Sequence, residues 1–251
     1  MISDPLLARA QSLWETLAAV PVSFTLNRPS VVASPDSQLC PPSWVGIVAL
    51  GGSAIVTVPS EAMVEPVVRA FERRSPDSLT DPDVLQAILP VKEVLGPANL
   101  GYVSPDTFRP AGSDTVTEQL APGHPDLQAL LASVGPEDAE ESGIGEITAP
   151  AVVARVGAKV VAAAGHQMWP AETAHMCVLT DTAMRDRGLA QRVASAAVAR
   201  ALADGLLPQW RARPPASRRV ARALGFRELG TQLSAHLDPV QLADASTRPR
   251  T

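Results

Sequence analysis

A chain of 251 residues that is 46% hydrophobic holds enough apolar material for one large domain or two ordinary ones. A net charge of −5 argues against a general nucleic-acid binder. No apolar run reaches the ~18 residues of a membrane span, and no basic-then-apolar leader opens the chain, so a soluble, cytoplasmic protein without membrane or nucleic-acid partners is expected. The two cysteines, Cys40 and Cys177, and the four histidines, His124, His166, His175 and His236, show no metal-ligand spacing, and no metal is expected.

In chain order, Pro5–Leu17 reads as an amphipathic helix with Leu6, Leu7, Ala10, Leu13, Trp14 and Leu17 on one face. A Pro-rich passage follows. Trp44–Leu50 and Ala54–Val58 read as two strands joined by Gly51-Gly52-Ser53. That Gly-Gly-Ser is read as a turn and not a phosphate loop, because no helix follows it directly. Ser60 reads as the cap of a helix carrying Val64, Val67, Val68 and Phe71, and Asp81-Pro82 as cap and first residue of the next. Residues Gly96 to Asp114 are rich in Gly, Pro and polar types and mark a boundary. Beyond it the spacing predicts a strand at Thr115–Leu120, a helix at Pro125–Val134 and a short acidic helix or loop at Pro136–Gly145. Strands follow at Ala151–Val156, Lys159–Ala164 and Ala174–Thr180, then a helix from Gly188 to Gly205. A strand at Leu206–Arg213, a helix capped by Ser217 and ended by Gly225, and a last strand close the series.

The most informative stretch runs from Ala174 to Gly205. An apolar strand enters a polar turn that leads straight into a helix, and the unpaired N–H groups of that helix's first turn form a ready anion site. Arg185-Asp186-Arg187-Gly188-Leu189-Ala190 resembles the Arg/Gln-x-x-Gly-x-Gly/Ala signature of the GNAT superfamily of N-acetyltransferases. Leu224-Gly225-Phe226 resembles the ending that follows the last helix of many GNAT proteins. Gly205 to Trp210, with Ser217 and that ending, resembles the zwittermicin A-resistance-type branch. The resemblance covers roughly residues 110–240.

It implies an α/β mixed sheet: a C-terminal GNAT-type acyl-CoA-binding fold (110–251) preceded by a smaller α/β N-terminal domain (1–109) of unknown role. The first domain helps shape the acceptor site or an interface, as in a homodimer, or is a degenerate GNAT-like unit that does not bind coenzyme A. The implied activity is transfer of an acetyl group from acetyl-CoA to the amine of a small molecule. The cofactor residues implied are Val178, Leu179 and Thr180 beside the pantetheine arm, and Arg185, Asp186, Arg187, Gly188, Leu189, Ala190 and Gln191 around the pyrophosphate. Candidate bases are His175, Glu172 and His166, with a water chain as the alternative. Two departures from the pattern stand out. Ala221 occupies the place of a common Tyr acid and Pro214 that of a common Asn, which leaves water or Ser217 to meet the leaving thiolate. A GNAT fold that senses acyl-CoA without turnover is the competing reading.

Charge is uneven. Arg185 to Arg227 holds ten Arg against Asp186 and Asp204, whereas Glu137, Asp138, Glu140, Glu141 and Glu146 form an acidic segment without a base. An acidic wall on the acceptor side would favour cationic amines. A merely solvated helix face is the plain alternative.

Overall fold

The computed structural model describes residues 4–112, 118–238 and 240–242. The chain forms two compact units, residues 1–100 with 228–251, and residues 101–227. In chain order the first unit opens with helix α1 (Pro5–Leu17), capped by Asp4, whose carboxylate accepts the Leu6 N–H. Strands β1 (Pro29–Ala33), β2 (Val45–Leu50) and β3 (Ser53–Val58) follow, then α2 (Val64–Phe71), α3 (Pro82–Ile88) and β4 (Val91–Tyr102). β2 and β3 form the expected hairpin, pairing Leu50 with Ser53 around Gly51 and Gly52. Both glycines have positive φ, 57° and 76°, the backbone sense that a tight two-residue hairpin needs.

Four details differ from the sequence reading. β1 lies hidden in the Pro-rich passage and pairs in parallel with β3. Ser60 makes no capping bond, because a short 3-10 turn separates it from α2. Val68 is 42% exposed and off the buried face of α2. The Gly96–Asp114 boundary segment begins inside β4, whose Gly96-Pro97 pair disguised a strand that buries Ala98, Leu100 and Tyr102.

The second unit contains β5 (Glu118–Leu120), α4 (Pro125–Ala132), α5 (Pro136–Ser142), β6 (Ala151–Val156), β7 (Lys159–Trp169) and β8 (Thr173–Thr180). These are followed by α6 (Leu189–Ala203), β9 (Leu207–Ala212) and α7 (Pro215–Ala223). Residues 115–117 of the strand expected at Thr115–Leu120 lie outside the described residues. The strand order is β9-β8-β7-β6-β5, antiparallel except for the parallel pair β8–β9. β6 and β7 are apolar on consecutive residues because helices cover both faces. Val152, Ala154, Ala162 and Ala164 meet Val193, Ala194, Ala197, Val198 and Ala201 of α6. Val153, Val160 and Ala163 instead meet Leu127 and Leu130 of α4. The run of alanines in β7 presents little bulk, so α6 seats close to the sheet. The last strand, β10 (Arg227–Leu237), pairs with β2 in the first unit, Leu233 against Ile47 and Ala235 against Val45.

Pro214 sits at the N-cap of α7 and Pro215 at its first position, so Ser217 is inside the first turn and is not the cap. Gly225 ends the helix at φ 89°, and a Cβ there would lie 2.0 Å from the Thr107 carbonyl oxygen. Both the left-handed backbone and that contact exclude a side chain. Gly225→Ala is therefore expected to lower the unfolding free energy by about 2–4 kcal/mol in urea titration. A loss below about 0.5 kcal/mol, the level of an inert surface change, would contradict the packing described.

Candidate functional site

β8 and β9 pair in parallel over only three positions, Thr173 with Leu207, Ala174 with Pro208 and His175 with Gln209. Beyond His175 and Gln209 they diverge, while β8 stays paired to β7 through Thr180. The direction of the main-chain groups follows from two bonds. The Leu207 N–H donates to the Glu172 carbonyl at 2.8 Å, and the Asp181 N–H donates to Val161 of β7 at 2.9 Å. Even-numbered residues of β8 thus face β9, and odd-numbered ones face β7. By the two-residue period, the Met176 C=O and the N–H and C=O groups of Val178 and Thr180 point into the opening fork.

After Thr180, Asp181 accepts the Ala183 N–H at 3.0 Å and the Lys159 ammonium at 2.6 Å. These bonds hold its carboxyl below the ordinary pKa, the Lys159 bond first. The chain then passes Asp186 at φ 61° and reaches Gly188 at φ 73°, the N-cap of α6. Gly188 offers no side-chain cap, and the first main-chain bond back to it comes from Arg192. The N–H groups of Leu189, Ala190 and Gln191 are thereby left for a ligand, at the positive end of the helix dipole.

Fork and loop open into one cleft of about 750 Å³. One wall carries Val178, Leu179, Thr180, Arg185, Asp186, Gly188, Leu189, Ala190 and Gln191, which are nine of the ten cofactor residues named from the sequence. Arg187 is exposed and does not line it. The facing wall is α7, where Ala216, Arg219, Val220 and Ala223 follow i, i+3, i+4, i+7 spacing with Ser217 beside them. α5 contributes Asp138, Glu141 and Ser142, and Met176, Trp210 and Arg211 lie where the strands part. Arg185 donates to Asp138 at 2.7 Å, and Arg213 pairs with Glu141.

A family model described as GNAT acetyltransferase matches residues 136–231. Among solved structures, a GCN5-related N-acetyltransferase from Kribbella flavida aligns over 95% of this chain and 97% of its own, with 17% identity and a TM-score of 0.53. An acetyltransferase of the GNAT family from Colwellia psychrerythraea aligns over 95% and 98%, with 12% identity and a TM-score of 0.48. For a GNAT-family structure from Novosphingobium aromaticivorans the figures are 58% and 65%, with 22% identity and a TM-score of 0.47. No curated protein matches the sequence. The chain has the GNAT acetyltransferase fold.

Within this GNAT fold, the three candidate bases lie outside the cleft lining. His175 sits at the last paired position of β8, with Nδ1 2.5 Å from the Gln209 Oε1 and its ring stacked on Trp169 at 4.1 Å. Burial, then the charge of Arg211, lowers its pKa to about 4, so the ring is neutral at pH 7. His166 is buried in β7 near Asp204 and Arg200, at the far end of α6 from Gly188, and burial again lowers its pKa. Glu172 is an exposed residue of the β7–β8 turn at φ 52°. Among the described residues no group of three His, Cys, Asp or Glu is placed to hold a metal ion.

Met176, Ser142, Arg211, Arg219, Val220 and Ala223 were not assigned to the site from sequence. The signal for the α7 residues was present. Placing the helix start at Pro215 puts Ala216, Val220 and Ala223 on one stripe, whereas starting it at Ser217 rotates the face away.

Because His175 is held neutral in the folded state, the unfolded chain binds more protons between pH 6.5 and about 4. Stability should therefore fall as pH drops through that window, and a His175→Gln variant should lose less over the same range. Equal pH slopes for the two proteins would show that the ring is not held neutral.

Proposed function

We propose that the protein is an acetyl-CoA-dependent N-acetyltransferase whose acceptor is the amine of a small cationic molecule. The observation that carries this reading is the union, in one cleft, of the diverging β8–β9 strands with the Arg185–Gln191 loop at the start of α6. The loop suits a pyrophosphate, which would take the free N–H groups of Leu189 to Gln191. The Met176 C=O and the main-chain groups of Val178 and Thr180 suit the two amides of a pantetheine arm and the thioester carbonyl. That arrangement sets the acyl carbon near the fork, and the amine attacks there directly. Affiliation with the zwittermicin A-resistance-type branch is part of the proposal and rests on the Gly205–Trp210 and Leu224–Phe226 residues.

The acidic helix supports the cationic acceptor. Asp138 and Glu141 line the cleft and already carry arginines, while Glu137 and Glu140 on the same helix form no ion pair among the described residues. On α5 itself, two of the four carboxylates are matched by these arginines and two are not. Proton removal from the amine falls to water or to a carboxylate of the rim.

One feature favours a second reading, a GNAT fold that binds acyl-CoA as a sensor. The imidazoles and Glu172 stand outside the cleft lining, so no unpaired base from that set faces the acyl carbon. Thiol release from acetyl-CoA separates the two readings, since a sensor binds CoA yet acetylates no amine.

Two outcomes are expected. A Cβ at Gly188 would meet nothing within 4 Å, and the left-handed φ of 73° strains a side chain by about 1–2 kcal/mol, so Gly188→Glu should fold with a small loss of stability; its carboxylate faces the anion site, and CoA affinity should drop by about 100-fold or more, well beyond that loss. Calorimetry showing unchanged affinity would remove the donor assignment. Spermidine should be acetylated in preference to glutamate, with the preference shrinking as salt is raised. Reversing Glu137 and Glu140 to Lys should raise the acceptor KM and leave the acetyl-CoA KM in place. An acceptor KM indifferent to both changes would make the acidic helix mere surface.

A further inference from the structure

The parted strands carry different chemistry on their two faces. Met176, Val178, Trp210 and Ala212 pack with the core that α6 covers. On that face the Trp210 indole N–H also donates to the Ser217 Oγ of α7 at 2.9 Å. By the two-residue period of a strand, Gln209 and Arg211 of β9 fall on the opposite face. There β8 carries His175, bonded to Gln209, and then Cys177 and Leu179. α5 belongs to this second face, since Gly143 at its end passes Cys177 and Ile144 joins the same core. The Arg185–Gln191 loop instead leads into α6, on the first.

Arg211 is built into the second face. Its guanidinium carbon stands 6.0 Å over the Trp169 ring. That ring is itself held, because its N–H donates to the Gln167 Oε1 at 3.0 Å and its plane lies 9° from that of His175. His175 is held in turn by the fully buried Gln209. A stack therefore runs from a buried amide through a neutral imidazole and an indole to a guanidinium that lines the cleft. Solvent reaches Arg211, yet desolvation by the surrounding protein is the first cause lowering its pKa, so the charge occupies a recess. Arginine keeps its charge in such a place. Among charged groups it feels Glu141 first and then Arg213, and those two pair with each other. A cation–π contact uses the charge of a guanidinium and not its N–H donors, whose planar fork matches a carboxylate.

Resting on the acetyltransferase reading above, we propose that Arg211 binds a carboxylate of the acceptor, which makes the acceptor a basic α-amino acid acetylated on its α-amine. Arg211 lines the cleft where the strands part, which is where the donor reading puts the acyl carbon. A single carbon separates the carboxylate of an amino acid from its α-amine, so holding the one presents the other at the fork. The cationic side chain then extends toward Glu137 and Glu140, the carboxylates of α5 that no arginine matches among the described residues. A plain diamine suits α5 but offers Arg211 nothing. An acidic amino acid suits Arg211 but meets the carboxylates of α5 with its own. The other source of a carboxylate is the acyl group of a malonyl or succinyl thioester, and the place of Arg211 on the α5 face favours the acceptor. In the transfer the α-nitrogen bonds to the acyl carbon and the C–S bond breaks with its electron pair on sulfur. The proton lost by nitrogen passes through solvent to the sulfur, giving N-acetyl amino acid and free thiol.

The test compares L-lysine with cadaverine, the same diamine without the carboxylate, by thiol release from acetyl-CoA. Lysine should have the higher kcat/KM by about tenfold or more, with the acetyl group found on the α-amine by NMR. In Arg211→Gln that ratio should fall to about one, chiefly through a raised lysine KM, and Arg211→Lys, which keeps the charge but not the fork, should fall between. A ratio near one in the wild type overturns the proposal. So does an Arg211→Gln variant that slows both amines alike, as a merely structural residue would. A preference for succinyl-CoA over acetyl-CoA that Arg211→Gln abolishes also overturns it, by assigning the arginine to the acyl group. Acetylation of spermidine but of no amino acid overturns it and leaves the acetyltransferase reading standing. CoA binding without acetylation of any amine overturns both.

Discussion

Everything proposed for this protein depends on how briefly β8 and β9 are paired. Two parallel strands joined over three positions and then parted leave one of them, past the parting point, with the main-chain groups of every second residue unmatched by a strand. Buried groups of that kind cost free energy unless something takes them up. Water can do so, but the spacing equally suits a linear ligand with amides of its own. The last paired position is closed by the His175–Gln209 bond, and Trp169 and Arg211 stack outward from it, with Arg211 6.0 Å over the Trp169 ring. The fork has a firm base and open arms.

α5 completes the cleft by a different kind of contact. Its two ion pairs, Asp138–Arg185 and Glu141–Arg213, join side chains that are each about a third to a half exposed. Pairs of that kind contribute only about 0–1 kcal/mol each, so they do not hold the helix down. The seat is apolar and close. Ser142 and Ile144 are buried, and Gly143 passes Cys177 so tightly that a Cβ would stand 2.9 Å from its sulfur. The ion pairs instead set charge. Arg185 and Arg213 are each matched by one carboxylate of α5, while Arg211 and Arg219 also line the cleft.

Much of this was legible in the chain. The strand, turn and helix from Ala174 to Ala203 announce themselves by an apolar run, a Gly at the turn and a small-residue helix face, and nine of the ten residues expected there to hold a cofactor line one cleft. β1 and β4 were not legible, because Pro29, Gly96 and Pro97 carry the punctuation of loops while the pairing that makes them strands comes from distant residues. Ser217 was misread in one respect, as a helix cap. Reading it as a cap came from its position before an amphipathic run, whereas Pro214 and Pro215 had already begun the helix, and only the distance to Trp210 shows what its oxygen does. The candidate bases were chosen as ionisable groups near the central strand. Sequence distance along β7 and β8 says nothing about which side of the sheet a residue faces, so their placement outside the cleft needed coordinates.

The central claim, that the fork and the α6 loop together form the donor site, is tested most directly by amide hydrogen exchange with and without CoA. The N–H groups of Val178 and Thr180 lose their partner where the strands part, and those of Leu189 to Gln191 have none in the helix. Slowed exchange in these two segments together on adding CoA is the predicted result. Protection confined to residues 4–100, or no change at the fork while CoA binds, would contradict it.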